Sequence, residues 1–277
     1  MPLDEKAKSI HIVGVILVHC GLRFPKGEHQ PMSDYDRNAQ ARWGTSVDRA
    51  GQAEIDQGLR SYMLGIYNHM TLALAITALV AMGIYMLGAS NPLVQTLYRT
   101  PLKWVVMLAP LAFILVLSWR FERMSYSSLL MTFYAFAAVM GLSMGWIGLV
   151  FKVGSIVQAF FVTTVAFAGL SLYGYTTKRS LSGLGSFLIM GLIGLIVASL
   201  LNIFLKSGAL AFAINMIGVL IFAGLTAWDT QRLKEDYDYL MQDRSLLAKA
   251  SIMGALSLYL NFVNMFQMIL ALTGERE

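Results

Sequence analysis

The sequence is short of charge, cysteine and histidine, and each shortage closes off a class of protein. Of 277 residues only 13% are charged, against roughly 25% in an ordinary soluble domain. So few charges cannot cover a core drawn from 57% hydrophobic residues, which excludes a water-soluble globule. The deficit is sharpest over 61–228, where Glu122 is the sole acid among nine charged side chains. The single cysteine, Cys20, excludes an intrachain disulfide framework and a cysteine-rich metal site. All four histidines, His11, His19, His29 and His69, lie at or before the first long apolar run, so later spans cannot assemble a histidine-ligated zinc site. Paired intramembrane aspartates are missing, and no lysine lies deep enough in an apolar run to activate a serine. The phosphate-loop pattern GxxxxGK[ST] is absent as well. The chain is therefore not expected to be an enzyme, and no organic cofactor is expected.

What the sequence has in abundance is apolar length. A helix needs about 20 apolar residues to cross the hydrocarbon core, because every backbone amide there must be paired internally. Seven runs meet that need, at 68–87, 101–119, 126–150, 154–175, 184–205, 210–228 and 250–272. They lack the period-two alternation of barrel strands. The expected fold is an all-α membrane protein, a seven-transmembrane helix bundle over 61–277. Gly141 and Gly145 form a GxxxG pair, and Gly183, Gly185, Gly191 and Gly194 crowd the fifth run; both patterns are expected to let helices approach closely.

Net charge is 0 over 1–60, +7 over 61–228 and −2 over 229–277. The bases sit at the ends of apolar runs, which fits orientation in a lipid bilayer rather than nucleic-acid binding. With the N-terminus in the cytoplasm, the inward loops hold Arg120, Arg123, Lys178, Arg179, Arg232, Lys234, Arg244 and Lys249. The outward side holds Arg99, Lys103, Lys152, Lys206 and Arg276. That imbalance predicts a multi-pass inner-membrane protein with its N-terminus inside. Residues 1–60 read as a cytoplasmic tail, disordered or interfacial. Within it, the apolar stretch 10–22 is too short to span, and Met32 is an alternative start that would make 1–31 an upstream extension.

An ionisable side chain at mid-bilayer costs ~2.5 to 3.5 kcal/mol, so one retained near a span points to function. Asp229 closes the sixth run in LTAWDTQRL, and Arg120 closes the second in LVLSWRFER. In the expected topology both ends face the cytoplasm and can meet at one depth; Arg120 and Glu122 could equally mark the end of their span among the headgroups, whereas Asp229 is a lone acid at the rim with few local basic partners except Arg232. In the seventh run Ser257, Asn261 and Asn264 fall at i, i+4 and i+7, on one helical face. That stripe should turn away from lipid, toward Asn202, Asn215, Asp229 or Gln158. Two readings stand: interhelical glue worth about 0.6 kcal/mol per amide, or the wall of a hydrated cavity. A lone carboxylate at Asp229 makes at most a weak calcium site, since calcium takes six to eight oxygens. The cluster Glu235, Asp236, Asp238 and Asp243 lacks the glycine and spacing of an EF-hand, and reads as a solvated face or a cation-gathering mouth in the loop after the sixth run.

LLNIFL in the fifth run, LTAWDTQRLKE closing the sixth and GALSLYLNFVNMF in the seventh resemble the Bax inhibitor-1 family, over about Leu59 to Leu272. The resemblance implies six helices around a central seventh, and, for bacterial members, a pH-sensitive calcium leak channel. It implies that an aspartate of the sixth helix pairs with one of the seventh, and that an arginine closing the second helix locks the pair. Asp229 and Arg120 match two of these positions. Asn261 stands where the second acid is expected, LYLN for LYLD. Two close carboxylates share a proton and titrate together; without the second, a weaker pH response and a weaker divalent preference are expected. The resemblance also supports a different class of function, a non-conducting interaction protein that modulates a membrane protease or a stress response.

Overall fold

The computed structural model describes residues 47–276, and these are almost wholly helical. The elements are α1 (Val47–Leu87), α2 (Pro92–Arg99), α3 (Leu102–Arg120), α4 (Tyr126–Met144), α5 (Val153–Thr176), α6 (Ser182–Leu205), α7 (Gly208–Leu240) and α8 (Arg244–Thr273), with a 3₁₀ turn after α3 and another after α4. Seven are long and apolar enough to cross a membrane; α2 is the exception. The all-α seven-span bundle is as expected.

Two boundaries differ from the sequence reading. The first helix begins at Val47 rather than near Asn68, so residues 47–60 are helical and continuous with the first span. For the residues just before Asn68 the reason is amphipathicity. Tyr62, Met63, Ile66, Met70 and Ala73 form a buried stripe at helical spacing, and the polar residues between them hide it from a search for unbroken apolar runs. Cys20, the 10–22 stretch and Met32 lie outside the described residues. The polar stretch after the sixth run is likewise helix rather than loop. α7 continues to Leu240, and α8 starts after a turn in which Asp243 accepts from the backbone N–H groups of Ser245 (2.9 Å) and Leu246 (3.0 Å). Glu235, Asp236 and Asp238 therefore ride on a helix, and Asp243 is a cap. Among the described residues no three His, Cys, Asp or Glu side chains gather as metal ligands.

The seventh span, α8, is the axis. Every residue from Ala250 to Leu270 is buried, whereas the outer helices turn side chains such as Leu79 (72% exposed) and Phe204 (83% exposed) outward. Such a surface fits lipid and would be insoluble in water. α8 packs against α7, α1, α5 and α4, while α6 lies on α7 and α3 on α4 and α2. At mid-axis, Tyr259 meets Phe133 and Phe136 edge-on, with centroids 6.1 and 5.6 Å away. Thr77 Oγ1 lies near the carbonyls of Ala137 (2.9 Å) and Ala73 (3.0 Å), so its one proton goes there and Tyr259 donates to Thr77 at 2.7 Å.

Small residues seat the helices, as expected for part of the set. A β-carbon on Gly141 would lie 2.6 Å from the Thr77 carbonyl oxygen, and one on Gly185 would lie 2.2 Å from the Trp228 ring. Gly183 and Gly194 face open space and do not serve this purpose.

At the membrane face opposite Asp229, the C-terminus clasps the start of α5. Lys152 N–H donates to the Glu275 carbonyl (3.0 Å), Glu275 N–H donates to Ser155 Oγ (3.1 Å), and the Lys152 and Glu275 side chains pair at 2.7 Å. The hydrogen bond and charge of Lys152 hold the Glu275 carboxyl below its ordinary value. A carboxyl lowered in the folded state stabilises above its unfolded pKa and loses that contribution as pH falls through the folded one. The clasp should therefore persist at neutral pH and open only in acid below the usual carboxylate range. Amide exchange at Lys152 and Glu275 against pH measures this, and no acid-side rise in exchange would refute it.

Candidate functional site

Asp229 sits fully buried on α7, against the middle of the axial helix α8, where an unpaired carboxylate would be prohibitively costly. Ser257 Oγ donates to its Oδ2 at 2.8 Å and Asn261 Nδ2 donates to the same oxygen at 2.6 Å, both from α8. A carboxylate oxygen only accepts, which fixes the orientation of the Asn261 amide. Oδ1 faces the Arg232 guanidinium at 3.1 Å, one turn further along α7. Arg232 in turn stacks on Trp228, 5.0 Å from the ring centre.

The flanking residues explain why α7 is held at this depth. Gly174 of α5 lies against the backbone of Ala227. Thr230 donates to the Thr226 carbonyl (2.8 Å), so it accepts from Ser171 (3.1 Å), which in turn accepts from Tyr67 (2.5 Å), tying α7 to α5 and α1. Gln231 accepts from Leu181 N–H (2.7 Å) and donates to the Arg179 carbonyl (2.9 Å), closing the loop between α5 and α6. Lys234 donates to the Tyr175 carbonyl at 3.2 Å, at the negative end of the α5 dipole.

Several buried polar atoms around this site have no hydrogen-bond partner among the described residues: Asn261 Oδ1, Arg232 Nε and the Tyr62 hydroxyl. Tyr62 comes from α1, and its ring lies 5.6 Å from that of Tyr237 of α7, tilted by 38°. Orphaned polar atoms of this kind are uncommon in native interiors and mark places suited to water or an ion.

The structure sorts the candidates read from sequence. Asp229, Ser257 and Asn261 converge. Arg120 does not join them: it lies exposed at the end of α3, a helix that packs on α2 and α4, and the guanidinium beside Asp229 belongs to Arg232. Asn264, a turn further along α8, donates to the Leu260 carbonyl of its own helix at 2.7 Å. Asn202 belongs to the opposite face; its Oδ1 accepts from Ser207 N–H at 3.0 Å and closes the α6–α7 turn. It lies about 30 Å along α6 from Leu181, at 1.5 Å per residue. Gln158 is exposed, and Asn215 is buried in the far half of α7. Sequence reasoning passed over Tyr62, Gln231 and Lys234. The i,i+3 spacing of Asp229 and Arg232 was the one signal that could have ranked Arg232 above Arg120.

These features define a helical membrane protein of seven spans, with one buried carboxylate, among the described residues, clasped by its central helix. The chain belongs to the Bax inhibitor-1 family: the family described as "Inhibitor of apoptosis-promoting Bax1" matches residues 59–277. Among its relatives, an uncharacterized protein of Caulobacter vibrioides is 44% identical over 88% of this chain and 98% of its own length. The inner membrane protein YbhL of Escherichia coli K12 is 43% identical over 79% of this chain and 93% of its own. Uncharacterized protein RP147 of Rickettsia prowazekii is 41% identical over 80% and 92%.

Proposed function

We propose that this chain is a cation leak channel of the inner membrane, with calcium as the ion carried, Asp229 as the anionic element of its route and the N-terminus in the cytoplasm. The observation that carries the reading is the fully buried Asp229 carboxylate, tied to the axial helix by Ser257 and Asn261 and neutralised by Arg232. While the guanidinium faces the carboxylate, an approaching cation meets a compensated site. When Arg232, which keeps a 16% exposed side chain, moves toward solvent, the carboxylate is released to a passing cation. This reading gives the gate to the Arg232–Asp229 pair in place of Arg120–Asp229. Localisation rests on the name of the Escherichia coli relative and on the excess of bases at the Asp229 side.

Asn261 sets the pH behaviour. Asn261 adds no second acid at the contact, so no proton is shared there; the other carboxyl whose charge reaches Arg232 and Asp229 is Asp236, which burial raises to about 6, so flux should vary little above pH 7, and Asn261→Asp, which places a second acid at the contact itself, should make the response steep. The test is calcium flux into liposomes holding the purified chain. Asp229→Asn should bring flux to background, and Asn261→Asp should steepen its pH profile. Unchanged flux in the first, or identical profiles for Asn261→Asp and the parent, would overturn the reading. The hydrogen-bonded state of Asp229 also suits a second reading, a non-conducting partner of a membrane protease; absent flux with a co-purifying protease would favour it.

A further inference from the structure

At the membrane face opposite Asp229, a cavity of about 380 Å³ opens between α2, the start of α3 and the 3₁₀ turn after α4. That volume falls within the ~300 to 1,000 Å³ of small-molecule sites. Its lining is unusual in charge. Arg99, Lys103 and Arg276 contribute three cations, and among the described residues no acid lines it. The floor is apolar, with Val94 and Met107 buried and Leu149 and Val150 beside them.

Each cation is held at the rim by a different element. Arg99 ends α2, whose other end is fixed by Pro92 and by Asn91, which accepts from Leu93 N–H at 2.9 Å. Lys103 lies in the first turn of α3 and leans over Trp104, 5.8 Å from the ring centre. Arg276 is brought in by the C-terminal clasp and lies over Phe151 at 5.5 Å. The wall between them is rigid, because the Tyr98 hydroxyl donates to the Leu142 carbonyl at 2.5 Å. Outside the mouth, Leu93 (64% exposed) and Val105 (61% exposed) present an apolar surface.

We propose that this cavity binds the phosphodiester headgroup of an anionic phospholipid, with Arg99, Lys103 and Arg276 on the phosphate and the acyl chains running down the apolar surface beside α2 and α3. Guanidinium groups suit phosphate through paired N–H donors, and basic pockets between membrane helices hold such headgroups. The proposal is independent of conduction and concerns the other membrane face.

The test uses the purified full chain in neutral detergent, titrated with dioleoylphosphatidylglycerol, dioleoylphosphatidylcholine or inorganic phosphate, with binding read by native mass spectrometry. The glycerol lipid should bind stoichiometrically and the choline lipid should not. Arg99→Gln, Lys103→Gln and Arg276→Gln should each weaken binding about fivefold, and Arg99→Lys should retain most of it. Ala89→Trp, which fills the mouth and keeps every charge, should abolish it, while Lys206→Gln, on the same face but outside the cavity, should not change it. Equal binding of the two lipids, unchanged binding in Ala89→Trp, a loss in Lys206→Gln equal to that in Arg99→Gln, or phosphate alone binding as tightly as the lipid would overturn the proposal.

Discussion

Arg232→Gln is expected to destabilise the bundle by about 3 kcal/mol, the lower end of the cost of breaking a buried ion pair, because Arg232 keeps 16% of its side chain exposed. The substitution leaves Asp229 with its two hydrogen bonds to α8 and removes the guanidinium 3.1 Å from Oδ1. Chemical unfolding in micelles measures the loss. The companion double variant, Asp229→Asn with Arg232→Gln, takes out both charges and should recover most of it, which a double-mutant cycle reads as coupling. Additive losses would mean that the pair is not coupled. In liposomes the single variant should leak more than the parent, and the double variant should fall to background. Arg120→Gln is the contrasting case: an exposed side chain away from Asp229 should cost under about 0.5 kcal/mol and leave flux unchanged. An effect of Arg120→Gln equal to that of Arg232→Gln would restore the guanidinium of the second span to the gate.

The bundle was legible because lipid imposes one rule, about 20 apolar residues per helical crossing, and seven runs obeyed it. What escaped was whatever lies outside the hydrocarbon. α1 and α7 each offer 33 residues to a span, about 50 Å of helix, well over the ~30 Å of the apolar core. Their surplus ends, around Tyr62 and Tyr237, mix polar and apolar residues on opposite faces, so neither appears as a run. α2 is too short and too polar on average to register.

The site was legible where periodicity is local. Ser257 and Asn261 lie one turn apart on a helix that had to bury its polar face, and that forced them toward another span. The partner of Asp229 was not legible from topology alone, because Arg120 and Arg232 were placed at the same membrane face and loop position says nothing of helix rotation. The packing of α3 on α2 and α4, away from α7, decides the matter and leaves Arg120 exposed. Asn202 failed for a related reason: a polar residue near the end of a span is equally suited to closing a turn, as it does with Ser207.

Gly174→Ala is expected to cost a net 2 kcal/mol or so, although alanine is the better helix former by about 1 kcal/mol. The added methyl would lie 2.1 Å from the Ala227 carbonyl oxygen, 2.9 Å from its carbonyl carbon and 3.0 Å from its α-carbon. All three atoms are backbone, so no rotamer change relieves the contact and α5 and α7 must part, at the upper end of the 1 to 3 kcal/mol typical of overpacking. Gly169→Ala on the same helix supplies the control, since nothing lies within 4 Å of its β-position; it should be neutral or stabilising. The opposite signs are the test, read by unfolding in micelles, and equal effects would refute the close approach. The displacement also reaches the site. Ala227 precedes Asp229 by two residues, so moving α7 stretches the 2.8 and 2.6 Å bonds that hold the carboxylate on α8. Flux in Gly174→Ala should therefore shift while that in Gly169→Ala stays at the parent level, which ties the conduction proposed for Asp229 to a contact that carries no charge.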